Sequence, residues 1–450
     1  MAETMDTDVA IGGGGIAGSV AAVALSKLGF HVTLIEPNLH SERRQGGEML
    51  HPRGIESLSQ LGLLANVRAA GSARIRGFHI SDTEAGDVTL AYAKIGLSPG
   101  MALDHGRLHA VLFAAASSCR NVSVIHGKRV TGLNDRGDHV EIHVTGKGAG
   151  TKIRARLLVG ADGARSKIRE RAGIPCGRRR VSMISTVTLP ADALPDAEFG
   201  HLFIGAGGPS LAYPIGEGRA RLMVDHDGRV PHSIREVAAL LSAACPPRFR
   251  KQVGELADDQ RVRHFATEIV FARTPHRGRV VLIGDAACTC HPLTASGMTS
   301  AIADVVSLAG ALRDRPDDIA RALDHHAAQC RPRQTSRLTL ASAVHEVLAS
   351  ATPEHALLRL GMMRYWASAH GALYATALLS MAEERPAKLW RAMSSALGYG
   401  LRELLKRSPA IRPGNRWRTG LNALRVVTRY RVRSIVGTGH SSVLRRSALL

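Results

Sequence analysis

The chain has 450 residues, 45% hydrophobic and 22% charged, which fits one large domain or two to three ordinary ones and excludes a disordered chain. The formal net charge is +21, and residues 401–450 hold twelve Lys/Arg against the single acid Glu403, a tail suited to an anionic membrane surface, nucleic acid or an acidic partner. No apolar run reaches the roughly 18–20 residues that cross a bilayer. Six cysteines without framework spacing and an acidic opening, "MAETMDTDVAIGGGG", point to reduced cytoplasmic thiols and not to a secretory signal.

The first elements are the most explicit. Asp8–Gly12 reads as a strand entering a tight turn, and Gly13, Gly15 and Gly18 form G-x-G-x-x-G. Ile16 and Ala17 open a helix of small residues that Gly29 stops, and His31–Ile35 is a second buried strand ending at Glu36. The first glycine makes the turn, the second lets a pyrophosphate approach the backbone, and the third lets helix and strand pack closely. The helix N-terminus adds free N–H groups and partial positive charge. Glu36 lies about 20 residues beyond the glycines, where a carboxylate bonds ribose hydroxyls, which favours FAD or NAD over NADP.

Two later turns repeat the pattern. Leu157–Ile174 carries Asp162-Gly163 followed by Arg165 and Ser166, and the strand Val280–Ile283 runs into Asp285. Cys288, Cys290 and His291 lack a fourth ligand and an ordinary zinc spacing, so no metal is expected. A glycine cradle, an "ADG" turn and a late "GDA" turn together resemble the flavoprotein monooxygenases of the para-hydroxybenzoate hydroxylase type. That resemblance implies FAD, with its pyrophosphate in the cradle and Asp285 at the ribityl chain. The small residues Ala295, Ser296 and Gly297 then let a helix end approach the flavin, where its dipole stabilises negative charge at the N1/C2 edge.

Three stretches are similar to the squalene epoxidases: "HPLTASGMTSAIADVVSL", "RRQGGEMLHPRGIESLSQLGL" from Arg43 to Leu63, and "DHGRLHAVLFAAASSCRNVSVIHGKRVTGL" from Asp104 to Leu133. The likeness covers roughly residues 8–312 and implies FAD contacts at Glu36, Arg44, Arg107, Val130, Asp285 and Met298. With Gly13, Gly15, Ile16, Ala17, Gly18, Asp162 and Gly297 these make up the expected cofactor-binding set. Gly297 stands where the family has a run of glycines, and Phe78 where it carries a tyrosine. The resemblance further implies oxygen transfer from O2 through a flavin C4a-hydroperoxide, most simply epoxidation of a terpenoid, polyene or prenylated compound. Aromatic hydroxylation and flavin-dependent reduction of polyprenyl chains are the alternatives. NADPH or NADH would supply electrons directly or through a flavin reductase. Since the cofactor carries the chemistry, no side-chain catalyst is named; Asp285 and His291 would be positioners.

The rest of the chain sorts by period. Arg74–Lys94 and Val181–His226 alternate like strands of a substrate-covering sheet, with a short amphipathic helix in "HSIREVAALLSAAC". Beyond Ile302 the pattern is helical, punctuated by Pro316, Pro353 and Pro386, although "RVVTRYRVRSIV" alternates almost like a strand. The expected fold class is α/β. A discontinuous Rossmann-like FAD-binding domain (1–73, 100–175, 264–315) is interleaved with a β-sheet substrate domain (74–99, 176–263), and a helical basic region (316–450) follows. The region beyond residue 365 holds Trp366, Trp390 and Trp417, which with its arginines suit a membrane interface. Expected partners are therefore a hydrophobic small-molecule substrate, O2 and, peripherally, an anionic membrane; nucleic acid is not expected.

Overall fold

The computed structural model describes residues 4–38, 48–146, 148, 150–228, 230–256, 262–406 and 416–435. Its first sheet is built around Thr4–Gly12, with Thr151–Gly160 parallel on one side and Val32–Glu36 parallel on the other. Val280–Leu282 and Val122–His126 extend it outward in parallel, while Lys128–Asp135, Val140–Gly146 and His276–Arg277 add antiparallel pairs. Val9, Ala10 and Ile11 are all buried, as expected of a parallel strand covered on both faces. The helices Ile16–Lys27, His105–Ser117 and Gly297–Asp314 share one apolar cluster with these strands. Ile16–Lys27 is buried along most of its length, so it is apolar all round and carries no polar face.

Among the described residues the second sheet has seven strands in the order Arg263–Ala272, Cys176–Pro190, Arg219–His226, Ser210–Gly216, Gly200–Ile204, Gly77–Asp82, Gly86–Ala91. It takes in both segments that alternate in the sequence. One boundary differs. Arg263–Ala272, expected within the FAD-binding segment, pairs antiparallel with Cys176–Pro190, and the chain rejoins the first sheet at His276.

Among the described residues five helices follow: Ile319–Ala349, Pro353–Ala367, Ala369–Leu379, Pro386–Leu405 and Arg416–Ile435. Pro353 and Pro386 each begin a helix, where the missing N–H costs nothing. The strand-like alternation near the end of the chain is overruled: Arg416–Ile435 is helical, and Thr419, Ala423, Val427 and Tyr430, all buried, recur at helical spacing. Among the described residues no helix is long and apolar enough to cross a membrane.

Candidate cofactor and substrate site

The three glycines of the cradle do different work. Gly13 has φ +105, and a Cβ there would lie 2.5 Å from the Ala161 carbonyl oxygen. A Cβ on Gly18 would stand 1.8 Å from the Gly13 carbonyl oxygen. Both are closed by packing. A Cβ on Gly15 would meet nothing within 4 Å, since Gly15 faces a cavity. It precedes the helix Ile16–Lys27, which takes no side-chain cap, so the helix end is open to an anion. Glu36 is buried, and its Oε2 accepts the Gly14 N–H at 2.6 Å while Oε1 accepts that of Asn38.

The cavity measures about 700 Å³, within the range of ligand pockets. Gly15, Ile16 and Ala17 line one end, and Asp285, Gly297 and Met298 line another part of it. A Cβ on Gly297 would also meet nothing within 4 Å. Two helix N-termini thus open on one space, and both lack the side chain that would fill it. Ala161 and Gly163 belong to the wall. Between them Asp162 caps the helix Lys167–Arg171 by accepting the N–H groups of Lys167 and Ile168 through Oδ2, and its Oδ1 is buried without a partner. An anion-accepting cradle, an orphaned oxygen and an open helix end fit the pyrophosphate, hydroxylated chain and ring of FAD.

The other expected contacts lie elsewhere. Val130 is buried against Gly12 and does not line the cavity. Arg107 pairs with Glu217, while its neighbour His105 reaches the cavity wall. Arg44 lies outside the described residues.

The stretch after Asp285 is a scaffold. The Gly284 N–H donates to Asp304 Oδ2, and Asp304 Oδ1 accepts from Arg333 at 2.6 Å, which ties the turn to the helix Ile319–Ala349. Burial pushes the thiols of Cys288 and Cys290 up, so both stay protonated and neither is a thiolate nucleophile. His291 Nε2 lies 2.8 Å from Asp225 Oδ2, and His345 Nε2 lies 3.4 Å from the same oxygen. Burial works to raise the Asp225 carboxyl, yet hydrogen bonds from His291 and His345 hold it at about 2. The three ligand-type atoms lie within 4.8 Å of one another, a spacing that a cation would accept. However, His291 Nδ1 accepts the Leu293 N–H, so the ring proton sits on Nε2 and points at Asp225. That tautomer makes a hydrogen-bonded cluster. Asp225 and His345 carry no local sequence signal; they join His291 only through the fold.

A second cavity lies against Leu293 and Thr294, between Phe78, Ile80 and Leu202 of the second sheet and the C-terminal helices. It is an apolar slot of about 120 Å³, in whose lining Thr294 and Tyr430 bring the only hydroxyls. Pro292 and Ala295 line the cofactor cavity, so the short segment Pro292–Ala295 separates the two spaces.

A glycine cradle on a parallel sheet, with a second helix end facing the same cavity, defines a dinucleotide-binding flavoprotein fold. The FAD binding domain family matches residues 6–338, and the chain belongs to that family. It is 30% identical over 320 residues to squalene monooxygenase of Mus musculus, covering 69% of this chain and 56% of the mouse protein. It is 32% identical over 357 residues to 6-methylpretetramide 4-monooxygenase of Streptomyces rimosus, covering 75% and 83%. The match therefore spans little more than half the length of the mouse relative. The fold is shared with p-nitrophenol 4-monooxygenase PnpA from Pseudomonas putida DLL-E4 (TM-score 0.73, 19% identity, 86% of this chain and 98% of that one). It is also shared with OxyS anhydrotetracycline hydroxylase from Streptomyces rimosus (TM-score 0.67, 22% identity, 84% and 76%).

Proposed function

We propose that the chain is an FAD-dependent monooxygenase that transfers one oxygen atom of O2 to an apolar substrate, epoxidising an alkene of a terpenoid, polyene or prenylated compound. The observation that carries this reading is the apolar slot on the far side of Pro292–Ala295 from the cofactor cavity. Gly13, Gly15, Gly18 and Glu36 would hold the pyrophosphate and ribose of FAD, Asp162 and Asp285 its hydroxylated chain, and Gly297 and Met298 the ring edge. Bound and reduced, FAD supplies the activation of O2. The protein's share is to exclude water and aim the alkene, for which a wall of Phe78, Ile80 and Leu202 is suited. A lining almost wholly of hydrocarbon suits an apolar occupant. Hydroxylation of an aromatic ring is the second reading, supported by the likeness to 6-methylpretetramide 4-monooxygenase. NADPH or NADH is the proposed electron donor, directly or through a reductase. The test is purification with the flavin absorbance spectrum recorded, then incubation with NADPH, O2 and polyene lipids. A yellow protein and a product heavier by one oxygen are expected; a colourless, flavin-indifferent protein, or a product gaining only hydrogen, rejects the proposal.

The helix Arg416–Ile435 supports a peripheral membrane role. Its inward face closes the apolar slot through Val426, Val427 and Tyr430. Its outward face exposes Trp417 by 70%, with Leu421 and Leu424 on the same side, among Arg416, Arg418 and Arg425. Each basic residue near an anionic surface contributes about 1 kcal/mol, screened by salt. Co-sedimentation with liposomes is expected only when anionic lipid is present, to weaken in high salt, and to fall further in Trp417→Ala/Leu421→Ala/Leu424→Ala. Binding that ignores both lipid charge and the triple substitution would reject this role.

A further inference from the structure

Ala295 has φ 48, a left-handed backbone that a residue with a Cβ adopts only when its surroundings hold it there. It stands between the turn Pro292–Thr294 and the helix Gly297–Asp314, whose first residues line the cofactor cavity. One residue grips the chain on both sides of this strained point. His51, which precedes the helix Pro52–Gln60, is wholly buried. Its ring Nε2 lies 2.9 Å from the Thr294 carbonyl oxygen, and since that oxygen only accepts, Nε2 carries the proton. Nδ1 therefore offers its lone pair, and the Tyr92 hydroxyl donates to it at 2.8 Å. On the other side of Ala295, Thr299 Oγ1 accepts the His51 backbone N–H at 3.0 Å. Burial holds the ring at about 4, so it is neutral and the tautomer persists near neutral pH.

We propose that His51, fixed in one tautomer by Tyr92, is the positioning residue that holds the strained Ala295 turn and so aims the N-terminus of the helix Gly297–Asp314 at the flavin. Neither His51 nor Tyr92 lines the cofactor cavity, so both act through Thr294 and Thr299. The proposal rests on the FAD reading, and the first step of its test separates the two. Wild-type protein stripped of cofactor is titrated with FAD, following flavin fluorescence. No binding at that step refutes the FAD reading itself.

The variants then test the clamp, with hydrogen exchange at residues 295–300 as a second readout. His51→Leu is expected to weaken FAD binding and speed exchange there by about tenfold, the size of one released strain. Amides of the first sheet should keep their rates. His51→Gln is expected to stay within about threefold on both readouts, because its amide N–H still donates to Thr294 and its oxygen still accepts from Tyr92. Ala295→Gly placed in the His51→Leu protein should recover most of the lost affinity, since glycine adopts the left-handed backbone unaided. Should His51→Leu fail to fold, Tyr92→Phe serves instead, with exchange at 295–300 rising about threefold. Unchanged affinity and exchange in the variant that folds, or His51→Gln failing as badly as His51→Leu, overturns the proposal.

Discussion

Gly15→Val is expected to give a folded protein that no longer binds FAD. The backbone at Gly15 is extended (φ −64, ψ −172), which valine adopts readily, and a Cβ there touches nothing within 4 Å. The fold therefore has no reason to object. The cofactor does: two methyl groups would stand in the space through which a pyrophosphate reaches the N–H groups of the helix Ile16–Lys27. Affinity should drop by about a hundredfold or more, or about 3 kcal/mol. Gly18→Ala separates packing from binding, because its Cβ would stand 1.8 Å from the Gly13 carbonyl oxygen. It should destabilise the fold by about 1–3 kcal/mol. Thermal melts paired with FAD titrations read both effects, and a Gly15→Val protein with wild-type affinity would sink the cradle assignment.

Stability is expected to fall steadily as pH drops from 7 toward 4. Burial lowers His51 and His326 to about 4 each, against about 6.5 in the unfolded chain. Between those values the unfolded state binds protons that the folded state refuses, so stability rises with pH through this window. Each ring contributes up to about 3 kcal/mol that is present above pH 6.5 and lost by pH 4. Burial acts the same way on His201, His226, His264 and His291. The carboxyls of Asp225 and Glu346, each held at about 2, add their loss only below about pH 4. Urea midpoints measured every half unit should show the decline, and His326→Gln should flatten it by the share of one proton. A midpoint that is level or rises from pH 7 to 5 contradicts this assignment of buried neutral rings.

What the sequence made legible was local. The strand, cradle, helix, second strand and Glu36 lie within one short stretch of chain, so spacing alone orders them. The same holds for Asp285 and Gly297, which flank a turn. Longer-range facts left no trace. Membership of Arg263–Ala272 in the second sheet is decided by pairing with Cys176–Pro190, which no local pattern announces. Arginines alternating with apolar residues near Val426 mimic a strand, but Ala423, Val427 and Tyr430, buried at helical spacing, show which period governs. His51 meets Thr294 across 243 residues, and Asp225 meets His291 only where a strand's end and a turn converge. No spacing rule foresees either encounter. Arg107 pairs with Glu217 from the second sheet, another contact that spacing along the chain does not show.

The segment Pro292–Ala295 is a party wall, with cofactor space on one face and the apolar slot on the other. Residues that bound two chambers cannot yield to one occupant without telling the other. Equilibrium linkage makes that exchange symmetrical: whatever factor a seated flavin lends to the affinity for an apolar chain, the chain must return to the flavin in full.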